Sequence, residues 1–136
     1  MPVQQQFSQH YKTDSMNRKI LLVEAHDSFR QVIGAFLSKQ FDVVGVRNGI
    51  EALGKLSQGF FPDAIVADTR VSGISGAQLL SQLRCSGLFA NIPVVVISSA
   101  ENDEEELHFR QLGVHDYFRK PFSPTKLQNR LIQITG

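Results

Sequence analysis

Short apolar runs that end in a polar residue recur along this chain, and each is followed by a stretch with helical spacing. Lys19-Ile20-Leu21-Leu22-Val23-Glu24 is the first run, and residues 41–46, closed by Asn48-Gly49, are the second. Ala64-Ile65-Val66-Ala67 runs into Asp68, and Ile92-Pro93-Val94-Val95-Val96-Ile97 ends in Ser98-Ser99. A fifth run, residues 116–119, leads into Lys120-Pro121-Phe122. Apolar runs of this length are too short for helices. They read as strands buried on both faces, as in a parallel sheet covered by helices.

The intervening stretches have helical spacing. The spacing predicts a helix over residues 27–39, with Asp27 as N-cap and Phe29, Val32, Ile33, Phe36 and Leu37 on its inner face. A weaker helix spans Gly49–Ser57, because Gly54 interrupts it at about 1 kcal/mol relative to alanine. Residues 76–85 follow a Ser- and Gly-rich loop and turn Leu79, Leu80 and Leu83 inward. The fourth helix starts among Glu101, Asp103, Glu104, Glu105 and Glu106, where carboxylates suit the positive end of the helix dipole, and Gly113 closes it. That acidic run reads as a solvated helix start. The last helix begins at Ser123-Pro124 and carries Leu127, Leu131, Ile132 and Ile134. Alternation of this kind with short connections calls for right-handed crossovers and a three-layer α/β/α sandwich.

Composition narrows the setting. At 136 residues the chain is one domain's worth, and 14 Lys+Arg against 13 Asp+Glu gives no broad electrostatic pull toward nucleic acid or an anionic membrane. No apolar run approaches the roughly 20 residues of a membrane span, and the Gln-rich start lacks the apolar segment of a signal peptide. These features suggest a soluble, cytoplasmic protein. Residues 1–18 read as a flexible N-terminal arm and 19–136 as the folded domain. The lone Cys85 is expected to pack as a small apolar group.

In such a sheet the carboxyl edge is where ligands bind. The tips of the first, third, fourth and fifth strands would gather Glu24, Asp68, Ser98 and Lys120 there. A carboxylate beside an ammonium and a small hydroxyl suits phosphoryl transfer. Asp68 would attack phosphorus, and Lys120 and Ser98 would bind the equatorial oxygens as charge builds. A divalent cation held by carboxylates ordinarily completes such a site.

The Ile20 to Glu24 run, Pro62-Asp63-Ala64-Ile65-Val66-Ala67-Asp68, Gly76, the Pro93 to Ser98 strand and Tyr117-Phe118-Arg119-Lys120-Pro121-Phe122 together resemble the receiver domain of two-component response regulators over roughly residues 19–134. The resemblance implies a flavodoxin-like sheet of five parallel strands in the order 2-1-3-4-5. It makes Asp68 the phosphoacceptor, Ser98 the switch hydroxyl, Lys120 the family lysine and Tyr117 the aromatic that changes rotamer with the hydroxyl. It implies a Mg²⁺ ion held by Glu24, Asp68 and the Arg70 backbone carbonyl, and a cis bond at Lys120-Pro121. The implied partners are a histidine kinase or phosphotransfer protein upstream and a protein target downstream. The target would meet the face made by the fourth helix, fifth strand and fifth helix. The only chemistry implied is self-catalysed transfer to Asp68 and hydrolysis from it.

The pattern breaks at Ala25, where family members carry a second acid that ligates the metal directly. A methyl group coordinates nothing, so Mg²⁺ binding is expected to be impaired. His26 and Asp27 are the nearby substitutes, the first a poor Mg²⁺ ligand and the second a natural cap. Ser72 and Ser75 replace a frequent proline and aspartate. The Arg70 side chain either covers the pocket or points to solvent, and Ser99 is small enough to admit a phosphoryl group. A phosphorylated receiver therefore competes with a pseudo-receiver that signals by docking alone. A haloacid dehalogenase-type phosphohydrolase would need an acid where Arg70 stands, and a flavodoxin would need a Gly-bearing phosphate loop after the first strand.

Overall fold

A computed structural model describes residues 4–6, 17–70 and 76–136. In chain order the elements are β1 (Gln4–Gln6), β2 (Lys19–Val23), α1 (Asp27–Leu37), β3 (Asp42–Val46), α2 (Gly49–Ser57) and β4 (Ala64–Asp68). They continue with α3 (Gly76–Cys85), β5 (Val94–Ser98), α4 (Asp103–Gln111), β6 (Asp116–Arg119) and α5 (Pro124–Thr135). The sheet order is β1-β3-β2-β4-β5-β6. Its five parallel strands, β2 to β6, therefore run in the expected order 2-1-3-4-5.

The strands are buried on both faces because their side chains alternate between two helical layers. Leu21, Val23, Ile65, Ala67, Val94 and Val96 pack with Ala52 and Leu56 of α2, Leu79, Leu80 and Leu83 of α3, and Phe109 of α4. Ile20, Leu22, Ala64, Val66, Val95 and Ile97 pack with Ile33 and Leu37 of α1 and with Leu127 and Leu131 of α5. Consecutive residues of one strand thus anchor opposite layers. A one-residue slip would exchange the two cores.

One glycine sits at a close approach. A Cβ on Gly76 would lie 3.1 Å from the Thr69 Cα and 3.3 Å from the Asp68 carbonyl oxygen. A side chain there would make the start of α3 and the end of β4 give by a few tenths of an ångström.

Several expectations need correction. Part of the predicted arm is ordered sheet: Gln4–Gln6 pairs antiparallel with β3, as a sixth strand at its edge. The remaining arm residues 1–3 and 7–16 lie outside the described residues, as do Ser72 and Ser75. The cap of α1 is His26, whose Nδ1 accepts the Phe29 N–H at 3.3 Å; Asp27 is the first helical residue. Val32 is 64% exposed, because α1 turns Ile33 and Leu37 to the sheet and leaves the neighbouring position outside. Cys85 is exposed too, since α3 ends there with Leu83 as its last inward residue. The peptide bond Lys120-Pro121 is cis.

Leu127→Ala empties a wholly buried site and is expected to lower stability by about 3 kcal/mol. Val32→Ala should shift it by less than about 0.5 kcal/mol. Guanidinium midpoints distinguish the two; equal losses would return Val32 to the core.

Candidate functional site

Each site residue lies at or just beyond the carboxyl end of a parallel strand. Glu24 follows β2, Asp68 ends β4, Ser98 ends β5 and Lys120 follows β6. Register aligns them, with Val23 beside Ala67, Asp68 beside Ile97 and Ser98 beside Arg119. Glu24, Asp68 and Ser98 are buried to 2, 5 and 0% exposure. Buried charges are costly unless paired, so the question is what pairs them.

Lys120 does. Its Nζ donates to Asp68 Oδ2 at 2.6 Å and to Glu24 Oε1 at 3.0 Å, and it lies 4.2 Å from the centre of the Phe29 ring. The remaining carboxylate oxygens are also held by donors: Asp68 Oδ1 accepts the Arg70 N–H at 2.7 Å, and Glu24 Oε2 accepts the His26 N–H at 3.0 Å. Burial alone would lower the lysine's pKa, but its bonds to Asp68 and Glu24 overcome that and raise it. The Glu24 carboxyl is pushed up, first by burial and then by the neighbouring Asp68, with only part returned by the His26 N–H and Lys120.

Ser98 takes a different partner. Its hydroxyl donates to Glu105 Oε1 at 2.6 Å and accepts the Ala100 N–H at 3.0 Å and the Thr69 hydroxyl at 3.1 Å. The Tyr117 hydroxyl donates to the same Glu105 oxygen, and the residue is 6% exposed. Burial and then the Glu105 bond raise the Tyr117 phenol above its ordinary value, and a direct bond with Ser98 returns part of that rise.

The structure therefore brings Glu24, Asp68 and Lys120 into direct contact, and joins Ser98 to Tyr117 through Glu105. The Arg70 backbone N–H reaches Asp68, and the side chains of Arg70 and Ser99 are both exposed. Neither substitute for Ala25 is free. His26 caps α1, and Asp27 is 68% exposed in an ion pair with Arg30 at 2.7 Å. Two buried carboxylates suit a Mg²⁺ ion that keeps several of its waters. Among the described residues no cluster of three or more His, Cys, Asp or Glu is placed to cage a metal.

Sequence reasoning missed four participants. Glu105 was absorbed into an acidic helix start, yet it alone of those four acids in α4 stands four residues before Phe109, the buried residue of that helix. That spacing was a usable signal. Arg30 is 4% exposed and donates to the Glu24 carbonyl at 2.8 Å. Phe29, expected only as core, stacks on Lys120, and Thr69 supports Ser98.

A pH dependence follows from Glu24. Its folded-state pKa is raised, so ionising it opposes folding as pH climbs above the ordinary glutamate value of 4.5. Glu24→Gln is expected to raise the melting temperature at pH 7, and the gain should vanish below pH 4.5, where both states are protonated. A melting temperature lowered equally at every pH would contradict this.

Comparison with known proteins agrees with this geometry. The family model described as the response regulator receiver domain matches residues 20–132. The chain is 28% identical over 120 residues to chemotaxis protein CheY1 of Helicobacter pylori, covering 87% of this chain and 97% of that protein. It is 31% identical over 117 residues to the phosphate regulon transcriptional regulatory protein PhoB of Escherichia coli, covering 85% of this chain and 51% of that one. It also matches the hybrid signal transduction histidine kinase D of Dictyostelium discoideum at 30% identity over 96% of this chain, but spans only 8% of that kinase. Among solved structures, the receiver domain of the Francisella response regulator 1452 superposes with a TM-score of 0.81 at 28% identity, covering 88% of this chain and 97% of that one. The receiver domain of the Pseudomonas aeruginosa sensor histidine kinase PA1611, which holds a magnesium ion in its active-site cleft, gives 0.79 at 27% identity over 88% of this chain and 98% of that one. With its parallel 2-1-3-4-5 sheet and this match across nearly its whole length, the chain belongs to the response regulator receiver domain family of two-component signalling.

Proposed function

We propose that Asp68 accepts a phosphoryl group from a phosphohistidine on a kinase or phosphotransfer protein. The observation that carries this reading is the Lys120 ammonium 2.6 Å from Asp68 Oδ2, reached from the end of β6 across the intervening β5. Receiver domains as a family interact with histidine kinases or phosphotransfer proteins and with downstream targets, and their chemistry is limited to gaining and losing the phosphoryl group. In this chain an Asp68 oxygen would attack phosphorus in line with the departing imidazole nitrogen, which leaves with the electron pair of the broken P–N bond. Lys120 would then meet the charge on the phosphoryl oxygens, and Ser98 would donate its proton to one of them. Glu24, Asp68 and the Arg70 carbonyl would hold a Mg²⁺ ion, which would supply further charge neutralisation.

The signal would leave through α4, β6 and α5, the face behind Tyr117. A ladder of ion pairs crosses it: Arg119 with Asp103 at 2.6 Å and Glu106 at 3.2 Å, Arg110 with Glu106 at 3.0 Å and Asp116 at 3.3 Å, and Arg130 with Asp116 at 2.9 Å. Exposed pairs contribute little to stability but can be exchanged for a partner's charges at little cost. Among the described residues no helix is long and apolar enough to cross a membrane, which fits a module working in the cytoplasm.

Incubation with acetyl phosphate and Mg²⁺ is expected to add one phosphoryl mass, and Asp68→Asn should abolish it. No adduct at millimolar Mg²⁺ would favour the pseudo-receiver reading, in which the methyl of Ala25 has ended phosphorylation. Ala25→Asp should tighten Mg²⁺ binding roughly tenfold in a calorimetric titration, because ligand charge sets affinity over decades. Unchanged affinity would place the cation elsewhere.

A further inference from the structure

A serine hydroxyl has one proton to donate and two lone pairs with which to accept. In Ser98 all three are used: Ala100 N–H and the Thr69 hydroxyl donate to it at 3.0 and 3.1 Å, and its own proton goes to Glu105 at 2.6 Å. The direction of that last bond is set by chemistry, because an ionised carboxylate only accepts. A phosphoryl oxygen on Asp68 is likewise an acceptor. It can engage Ser98 only by accepting the hydrogen bond that Ser98 now gives to Glu105. The same Glu105 oxygen accepts from Tyr117, so that one atom serves both hydroxyls.

We infer that Glu105 is the positioning residue that couples Ser98 to Tyr117 and competes with the phosphoryl group for the Ser98 proton. The inference deepens the phosphoacceptor reading and rests on it for its consequence at Asp68. In the unmodified protein Glu105 holds the hydroxyl toward α4. When the phosphoryl group takes the proton, the Glu105 oxygen keeps Tyr117 as its remaining hydroxyl donor. The carboxylate and the first turn of α4 are then free to shift with the ring. Communication from pocket to surface thus runs Ser98 to Glu105 to Tyr117, with a charge as the intermediate. Asn102 holds the backbone of this turn by accepting the Glu105 N–H at 2.8 Å, so the side chain can be changed while the helix start is kept.

Beryllofluoride with Mg²⁺, titrated into wild type, Glu105→Ala, Ser98→Ala and the double variant, tests the competition. Glu105→Ala should tighten binding several-fold in the presence of Ser98 and leave it unchanged in the Ser98→Ala background. Unchanged or weaker binding in Glu105→Ala would overturn the proposal. So would an equal gain in both backgrounds, which would mark simple removal of a negative charge. A second measurement does not need Asp68 to react. With Tyr11→Phe, Tyr117 is the only tyrosine left of the chain's two, so its ultraviolet titration can be followed alone. Glu105→Gln should lower its midpoint, and Ser98→Ala should raise it more while Glu105 is present than in Glu105→Gln, where only the direct Ser98 bond to the phenol is lost. If no variant binds the mimic, the phosphoacceptor reading fails. The coupling is then decided by this titration, and an unmoved midpoint, or a Ser98 effect of the same size with and without Glu105, overturns it.

Discussion

Two carboxylates and one ammonium, taken out of water together, hold this molecule's functional edge. Asp68 and Glu24 are almost wholly buried, and Lys120 spans them at 2.6 and 3.0 Å. Without that cation, two like charges would share a desolvated pocket, at a cost of several kcal/mol. The lysine arrives from the far edge strand, β6, and the aspartate from the sheet's interior, so the cluster exists only when the parallel order is complete. The remaining oxygens are bound by the backbone N–H groups of His26 and Arg70. Charge, register and backbone therefore specify one arrangement.

The fold places a second cluster one strand away and keeps it apart from the first. Ser98, Glu105 and Tyr117 share protons across β5, α4 and β6, the elements that lead toward the outer face. A pocket in which the buried aspartate is bound to a lysine and the neighbouring hydroxyl to a glutamate is balanced between partners. Any anion introduced at Asp68 would draw on both sets. Such competition gives a two-state device its sensitivity, because a local charge decides which acceptor keeps a proton.

Much of this was legible in the residue order. Apolar strands ending in Glu24, Asp68, Ser98 and Lys120 are a one-dimensional record of a parallel sheet's edge, because strand direction is the same in each. The inward leucines of α3 and α5 followed from helical periodicity. What could not be read depended on side-chain direction. Asp27 and His26 both suit a cap, and only the path of the backbone chose His26. Val32 fits the apolar stripe of α1 by type, yet sits on its outer side. Glu105 was hidden among like neighbours, since an acidic first turn is expected from helix electrostatics alone. The pairing of Gln4–Gln6 with β3 left no apolar trace, because an edge strand of glutamines is bound through its backbone.

The central claim, that Lys120 is held as an ammonium by two carboxylates, is tested most directly by the nitrogen-15 resonance of its side chain followed against pH. Lys120 is expected to titrate above the ordinary 10.5 in the native protein. In a Glu24→Gln, Asp68→Asn variant, where burial acts without its partners, it should fall below that value. A lysine that titrates at or below 10.5 in the native protein, and is indifferent to both substitutions, would contradict it.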